Sequence, residues 1–131
     1  MVYSMPHRIE PKRALSNRWI DMPRNVYGPD HEAFRATAHE FVDRSLKRRA
    51  EQFIEARSMD REVWMEAGKQ GLLGLEVPEV YGGSDARDSR FNAILTEELS
   101  KFNAAASSSF GIHADGVAPF LVELGTEERK E

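Results

Sequence analysis

Two adjacent glutamates, Glu97 and Glu98, are the residues whose type and placement could first suggest a general base. Neighbouring side chains on a helix diverge by about 100° around its axis, so these two carboxylates are not expected to act on one substrate atom. A solvated helix face, or pairing with Lys101 and Arg90, is the simpler interpretation. No catalytic carboxylate pair is predicted here.

The histidines do not predict a catalytic or metal-binding site either. His113 lies in a stretch nearly free of charge, two residues before Asp115, and a spacing of two does not bring side chains together on a helix. We therefore predict a hydrogen-bonded core histidine in preference to a ligand contact. His31 and His39 fall off the apolar positions and are expected in solvent. No spacing typical of metal ligands occurs, so no metal site is predicted.

The serine and glycine motifs do not match a known catalytic or phosphate-binding pattern. Ser107, Ser108 and Ser109 lack the Gly-x-Ser-x-Gly turn of a nucleophile elbow. The sequence Tyr-Gly-Gly at 81–83 lacks the further glycines of a phosphate cradle and predicts a turn. The absence of cysteine excludes disulfides, thiolate metal sites and a cysteine nucleophile. The residues by themselves predict no complete catalytic set.

Composition places the chain among ordinary globular proteins. It has 131 residues, of which 31% are charged and 40% hydrophobic, with a net charge of −4. The densest basic run, at 47–49, is too short to indicate nucleic acid and predicts a solvated face. No segment reaches the length of a membrane span, and we expect a reducing, cytoplasmic location.

Hydrophobic periodicity predicts an all-α fold of about four helices after an N-terminal arm over residues 1–28. The first helix should run for about 25 residues from a cap at Asp30. Its inward stripe is expected at Phe34, Ala38, Phe41, Val42, Leu46, Ala50, Phe53 and Ile54.

Two further helices are predicted on either side of a long loop. Asp60 should cap the second helix, with Gly68 or Gly71 ending it. Asp88 or Ser84 should start the third helix after a glycine-rich loop. Its inward stripe is expected at Phe91, Ile94, Leu95, Leu99 and Phe102, with Glu97 and Glu98 on the polar side.

The fourth helix differs from the other three in its composition. Asn103 can cap it, and the following residues up to Leu124 are small or apolar, which predicts a helix enclosed on most sides. Pro119 should kink or break it. The small residues indicate either tight helix packing, which the composition favours, or a groove for a ligand. Gly125 should stop this helix and Thr126 should cap another.

Three stretches together resemble the acyl-CoA dehydrogenase family. They are SMDREVWMEAGKQGLLGLEVPEVYGG, RFNAILTEELSKFNAAASSSFGIHADGVAPFLVELGTEERKE and, upstream, DHEAFRATAHEFVDRSL. Their order and spacing resemble the helical N-terminal domain, most closely that of the long-chain branch. The resemblance covers residues 29–131 and implies a chain that stops before the middle β-domain.

The resemblance also implies a function. Family members bind FAD mainly through their middle and C-terminal domains, and a C-terminal glutamate removes the α-proton while hydride passes from Cβ to the flavin. The N-terminal domain supplies one wall of the acyl-chain site, which implies Ser107, Ser108, Gly111 and Asp115 here. Asp115 is charged and therefore differs from the apolar residues expected in such a wall. The resemblance implies that the catalytic segment and most of the flavin-binding segments lie outside this chain, which by itself is expected to be inactive.

The implied partners are fatty acyl-CoA, bound together with the missing domains, and an electron-transfer flavoprotein. A different interpretation is a non-catalytic helical module for binding or for assembly with a full-length relative. Either interpretation leaves apolar helix faces uncovered, so we expect a homo-oligomer or a partner chain.

Overall fold

A computed structural model describes residues 26–130, and the predicted arm over residues 1–28 lies outside them except for its last three residues. Within this range the fold is all-α and contains no strand, as predicted. The α-helices are α1 Pro29–Phe41, α2 Ala50–Ala56, α3 Arg61–Lys69, α4 Ser89–Phe102, α5 Ala104–Gly111, α6 Ala118–Leu124 and α7 Glu127–Lys130.

α1 and α2 are joined by helical turns, so the predicted first helix is nearly continuous over residues 29–56. A π-helical turn, Val42–Leu46, is followed by a 3₁₀ turn, Lys47–Arg49. The cap is Gly28 and not Asp30, which lies in the first turn where a carboxylate favours the positive end of the helix dipole. Most of the predicted stripe is buried or half-buried, but Ile54 is 75% exposed.

Local capping sets both ends of α3. The Asp60 side chain accepts a hydrogen bond from the Val63 amide at 3.0 Å, as predicted. After the helix, Gly71 has φ +70°, and the Leu72 amide bonds the Ala67 carbonyl at 3.0 Å. This is the Schellman arrangement, and it returns Leu72 to the core.

The 71–88 loop contains one 3₁₀ turn, Glu79–Tyr81, and ends where Asp88 caps α4. Asn103 caps α5 by accepting a hydrogen bond from the Ala106 amide at 2.7 Å. α5 runs through a π-helical segment, Ile112–Val117, into α6. Pro119 therefore does not end the helix: it occupies the first turn of α6, where a missing amide hydrogen costs little.

α4 lies at the centre of the fold, packed against both α1 and α5. The core contains Phe41, Leu46, Val63, Leu72, Leu95, Leu99 and Phe110. Trp64 stacks on Phe110 with ring centroids 4.5 Å apart, which joins α3 to α5. In residues 26–130, every helix is too short or too polar to cross a bilayer.

Glu98 is buried on the side of α4 that meets α1, with only 2% of its surface exposed. Its Oε1 lies 3.1 Å from Arg35 Nη1, and its Oε2 lies 3.1 Å from His39 Nδ1. Lys101 Nζ donates to the same Oε1 at 2.5 Å. Arg35 Nη1 also donates to Glu97 Oε2 at 2.8 Å. We call these five residues the Glu98 cluster.

The Glu98 cluster corrects two predictions. A solvated face is wrong for Glu98, although its pairing with Lys101 is confirmed; Arg90 instead pairs with Asp88. His39 contacts Glu98 and is exposed, as predicted, with 57% of its side-chain surface accessible. Burial alone would raise the pKa of Glu98, but hydrogen bonds from Lys101, His39 and Arg35 hold it below the ordinary value.

His31 is also buried, contrary to the sequence prediction. The Gly28 amide donates to His31 Nδ1 at 3.0 Å, so the neutral ring carries its hydrogen on Nε2, which lies 3.1 Å from Asp88 Oδ2. The imidazole stacks on Phe91 with centroids 4.6 Å apart. One histidine thus joins the start of α1 to the start of α4.

Replacing the buried carboxylate should destabilise the fold. We expect Glu98→Gln to lower the free energy of unfolding by about 2 kcal/mol, because Arg35 loses a charged acceptor, while partial solvent access to Lys101 and His39 limits the loss. Urea denaturation followed by circular dichroism measures this. Glu40→Gln, which removes an exposed pair with Arg44, should cost less than about 0.5 kcal/mol. Equal losses in both variants would contradict the role given to Glu98.

The same carboxylate should make stability depend on pH. Because the pKa of Glu98 is lower in the folded than in the unfolded chain, its contribution is complete above the ordinary value of 4.5 and is lost as pH falls through the folded-state pKa. The difference in unfolding free energy between wild type and Glu98→Gln should therefore shrink below that pH. A difference that stays constant down to about pH 3 would rule out this linkage.

Candidate functional site

The four residues implied for the acyl-chain wall lie on α5 and on the π-helical segment after it, and the structure divides them into two pairs. Ser107 and Asp115 bond to α4. The Ser107 hydroxyl accepts from Ser100 Oγ at 2.9 Å and approaches the Thr96 carbonyl at 3.4 Å. Asp115 Oδ1 accepts from Asn92 Nδ2 at 2.8 Å. These two positions therefore contribute to the contact between helices.

Ser108 and Gly111 form the open pair. Ser108 is exposed, and a Cβ built on Gly111 would meet no atom within 4 Å among the described residues. The missing side chain at Gly111 is therefore not needed to let α4 or α3 approach. Space beside the helix, and not tight packing, is what this glycine provides.

A groove of about 590 Å³ lies beside the start of α5. We call it the α5 groove. Apolar side chains from α2, the α2–α3 link and α4 form most of its walls, and Ala105 and Ser109 form its floor on α5. Its main lining residues are Phe53, Ile54, Met59, Phe102, Ala105 and Ser109. The lining residues that α5 contributes are small: Ala105, Ala106 and Ser109.

His113 lies half-buried against Trp64, with ring centroids 5.8 Å apart. Its Nδ1 is buried and has no hydrogen-bond partner among residues 26–130, so the prediction of a hydrogen-bonded core histidine is wrong for this atom. The ring lines a cavity of about 340 Å³ that also contacts Gly82 and Gly83 of the loop.

The second half of the α5–α6 helix is uncovered in the described part of the chain. Ile112, Val117, Phe120, Leu121 and Leu124 are all exposed, with Phe120 at 65% and Leu124 at 74%. We call these five residues the α6 apolar face. The expectation of a helix enclosed on most sides is wrong here. A contiguous apolar face of this kind is typical of a surface that another protein segment covers.

The Tyr-Gly-Gly segment at 81–83 is a turn, as predicted. Gly82 adopts φ +83°, and a Cβ on Gly83 would come within 2.0 Å of the Val77 carbonyl oxygen. The amides of Gly82 and Gly83 already donate to the carbonyls of Glu79 and Pro78, so they are not free to hold phosphate. Across residues 26–130, no three His, Cys, Asp or Glu side chains are grouped to hold a metal.

Arg35, His39 and Asn92 are polar partners in the contacts of α4 that the sequence alone did not identify. Arg35 and His39 are four residues apart on α1, and Glu98 and Lys101 are three apart on α4, so each pair shares a helix face. This spacing was visible in the sequence. The fact that the two faces meet depends on tertiary packing. Asn92, which bonds Asp115, occupies a position that periodicity would assign to an apolar residue.

Comparison with known proteins identifies the class. Residues 28–131 match the family model described as acyl-CoA dehydrogenase, N-terminal domain. The chain is 32% identical over 108 residues to the mitochondrial long-chain specific acyl-CoA dehydrogenase of Rattus norvegicus, covering 82% of this chain and 25% of that protein. It is 28% identical over 114 residues to the mitochondrial isovaleryl-CoA dehydrogenase of Bos taurus, covering 86% and 26%.

A third relative has a differently named activity. The chain is 29% identical over 106 residues to the 3-(aryl)acrylate reductase of Clostridium sporogenes, covering 77% of this chain and 26% of that protein. The chain belongs to the acyl-CoA dehydrogenase family and matches its N-terminal domain, as the resemblance implied. It spans about a quarter of the length of the curated relatives that it matches.

Proposed function

We propose that this chain is the N-terminal part of a flavin-dependent acyl-CoA dehydrogenase that introduces the α,β double bond of fatty acyl-CoA thioesters. In this proposal α5 supplies one wall of the acyl-chain site. The family match over residues 28–131 supports the activity, and the open space beside Gly111 is the observation that supports the wall. Identity is highest, among the three relatives described above, to the long-chain specific enzyme, which favours a long acyl substrate.

The wall is best assigned to the open pair. Ser108 and Gly111 leave backbone and small polar atoms facing the space beside α5, and an acyl chain can lie against such a surface without displacing a side chain. Ser107 and Asp115 would act differently, because their polar atoms already bond to α4. They would position the wall, while Ser108 and Gly111 contact the substrate.

The described residues do not fit FAD by themselves. The spaces beside the helices include open grooves and cavities, and the α5 groove of about 590 Å³ is one of them. The amides of Gly82 and Gly83, which line one of these cavities, already donate to the carbonyls of Glu79 and Pro78 and are not free to hold a phosphate. In this proposal the flavin, and the base that removes the α-proton, belong to segments outside residues 26–130.

Electron transfer to an electron-transfer flavoprotein follows from the same family assignment and is proposed on that basis alone. A cytoplasmic location is likewise a proposal that rests on composition. Two of the relatives named above are mitochondrial proteins. Cell fractionation would decide between a cytoplasmic and a mitochondrial location for this protein.

A size series at Gly111 separates stability from function. Gly111→Leu should raise the unfolding free energy of the chain by up to about 1 kcal/mol, because leucine favours helix and its Cβ meets open space. In the complete dehydrogenase, the same change should raise KM for a long-chain acyl-CoA about tenfold, because the side chain occupies the wall. Gly111→Ala is the matched control and should gain stability with little change in KM.

Steady-state assays with long-chain and butanoyl thioesters measure both effects. Unchanged KM for the long substrate in Gly111→Leu, with stability raised, would contradict the wall. Loss of stability in both variants would show that the space beside Gly111 is not open, and it would contradict the same assignment.

A second function deserves a test because of the α6 apolar face. The alternative is a non-catalytic helical module that associates with a full-length relative or with itself. Five exposed apolar side chains on consecutive turns, from Ile112 to Leu124, support an interface on this surface. Both functions require the face to be covered, but only the alternative requires a separate chain to cover it.

The isolated chain should associate through this face. We expect sedimentation to give a species larger than a monomer for the 131-residue chain, and we expect Phe120→Glu with Leu124→Glu to shift it to monomer, because burying two carboxylates in an apolar interface is unfavourable. Val80→Glu, at an exposed apolar residue on the loop, is the control and should leave association unchanged. A wild-type monomer that unfolds in one sharp transition would count against this prediction.

A further inference from the structure

A buried amide on α4 joins two other parts of the fold. Asn92 is only 7% exposed, and its Nδ2 has two hydrogens to donate. Asp115 Oδ1 accepts one of them at 2.8 Å, and Glu76 Oε1 accepts the other at 3.2 Å. Asp115 lies in the π-helical segment after α5, and Glu76 lies in the 71–88 loop. A single side chain of α4 therefore bonds both of these segments.

The two carboxylates fix the orientation of this amide. Ionised carboxylates accept hydrogen bonds and do not donate them, so the amide nitrogen must face Glu76 and Asp115. This orientation leaves Asn92 Oδ1 buried and without a hydrogen-bond partner among residues 26–130. A buried acceptor without a partner is costly to a fold, so stability alone does not explain an asparagine at this position. The two donated bonds are what the structure gains from Asn92.

The bond to Asp115 acts on the least regular part of the helix. Turns of π-helix are rare in proteins and occur mostly as short bulges inside α-helices. Here the π-helical segment, Ile112–Val117, begins directly after Gly111. If it returned to α-helix, α6 would rotate relative to α5 by about 100°, the rotation of one residue in an α-helix. The hydrogen bond from Asn92 holds Asp115, in the middle of the segment, against that rotation.

Two polar contacts with α4 lie on either side of Gly111. At one end Ser100 Oγ donates to Ser107 Oγ at 2.9 Å, and at the other end Asn92 donates to Asp115. Ser107 and Asp115 are each four residues from Gly111, one before it and one after it. The direction of the open surface at Gly111 therefore depends on both contacts, and a change at Asn92 alters it without touching that surface.

We propose that Asn92 is a positioning residue for the acyl-chain wall, a role that rests on the proposed function. Its bond to Asp115 holds the π-helical segment, and its bond to Glu76 couples the 71–88 loop to the same point. Asn92 acts through these two carboxylates and not by contact with the substrate. Because a long acyl chain lies along more of the wall than a butanoyl chain, losing Asn92 affects long substrates most.

Hydrogen exchange of the 131-residue chain tests the bond itself. Asn92→Leu keeps a similar size and removes both donated hydrogens, so the amides of residues 112–117 should exchange about tenfold faster. Asp115→Ala should act in the same way, whereas Asp115→Asn keeps an acceptor and should match wild type. Ser45→Ala, at another buried side chain with an unpartnered polar atom, is the control and should leave these amides unchanged. Unchanged exchange in Asn92→Leu would overturn the proposal.

The effect on the wall is measured in the complete dehydrogenase, as the ratio of kcat/KM for a long-chain acyl-CoA to that for the butanoyl thioester. Asn92→Leu should lower this ratio about tenfold, with kcat for butanoyl within about twofold of wild type, and Asp115→Asn should keep the wild-type ratio. An equal loss for both substrates would show a merely structural role and overturn the proposal.

Gly111→Leu in the same assay separates this inference from the proposed function. If Gly111→Leu lowers the ratio and Asn92→Leu does not, the wall stands and the positioning role is wrong. If neither variant lowers it, the wall itself is wrong, and the role of Asn92 falls with it.

Discussion

Removing the Glu98 carboxylate from water is the constraint on which the arrangement of the helices depends. A buried charge is tolerated only where hydrogen-bond donors surround it, and here Arg35 and His39 must come from another helix. α1 can therefore dock on α4 in one register along its length. The contact of His31 with Asp88 fixes the same register at the other end. Once α1 and α4 are fixed, α4 can present its remaining face to α5.

Helix ends were predictable because the interactions that set them are local in sequence. Asp60, Asp88 and Asn103 each accept a hydrogen bond from an amide two or three residues later. The capping residue and its partner therefore lie in the same short stretch of sequence. Gly71 similarly ends α3 through its own positive φ. The exception is Gly28, which caps α1 although Asp30 is the better capping residue, because His31 accepts the Gly28 amide instead.

Burial of polar residues was not predictable, because it depends on which faces meet. Glu98 and His31 were expected in solvent because their side chains are polar. Both nevertheless have partners more than 50 residues away in the chain. The reverse error occurs at Ile54 and Phe120, which follow an apolar stripe but are exposed in residues 26–130. An apolar stripe predicts that a surface will be covered, and it does not say by what.

The candidate wall shows a further limit of reasoning from spacing. Carrying Ser107, Ser108, Gly111 and Asp115 across as one set treats them as equivalent positions on a regular helix, whereas a π-helical segment begins at Ile112. Each π-helical turn contains more residues than an α-helical turn, so side chains beyond Gly111 no longer follow the α-helical spacing. Asp115 accordingly bonds to Asn92, and Ser107 bonds to α4 from the other end. What lies between them, at Ser108 and Gly111, is a short open surface whose two ends are bonded to α4, and in the proposed function the acyl chain would lie against this surface.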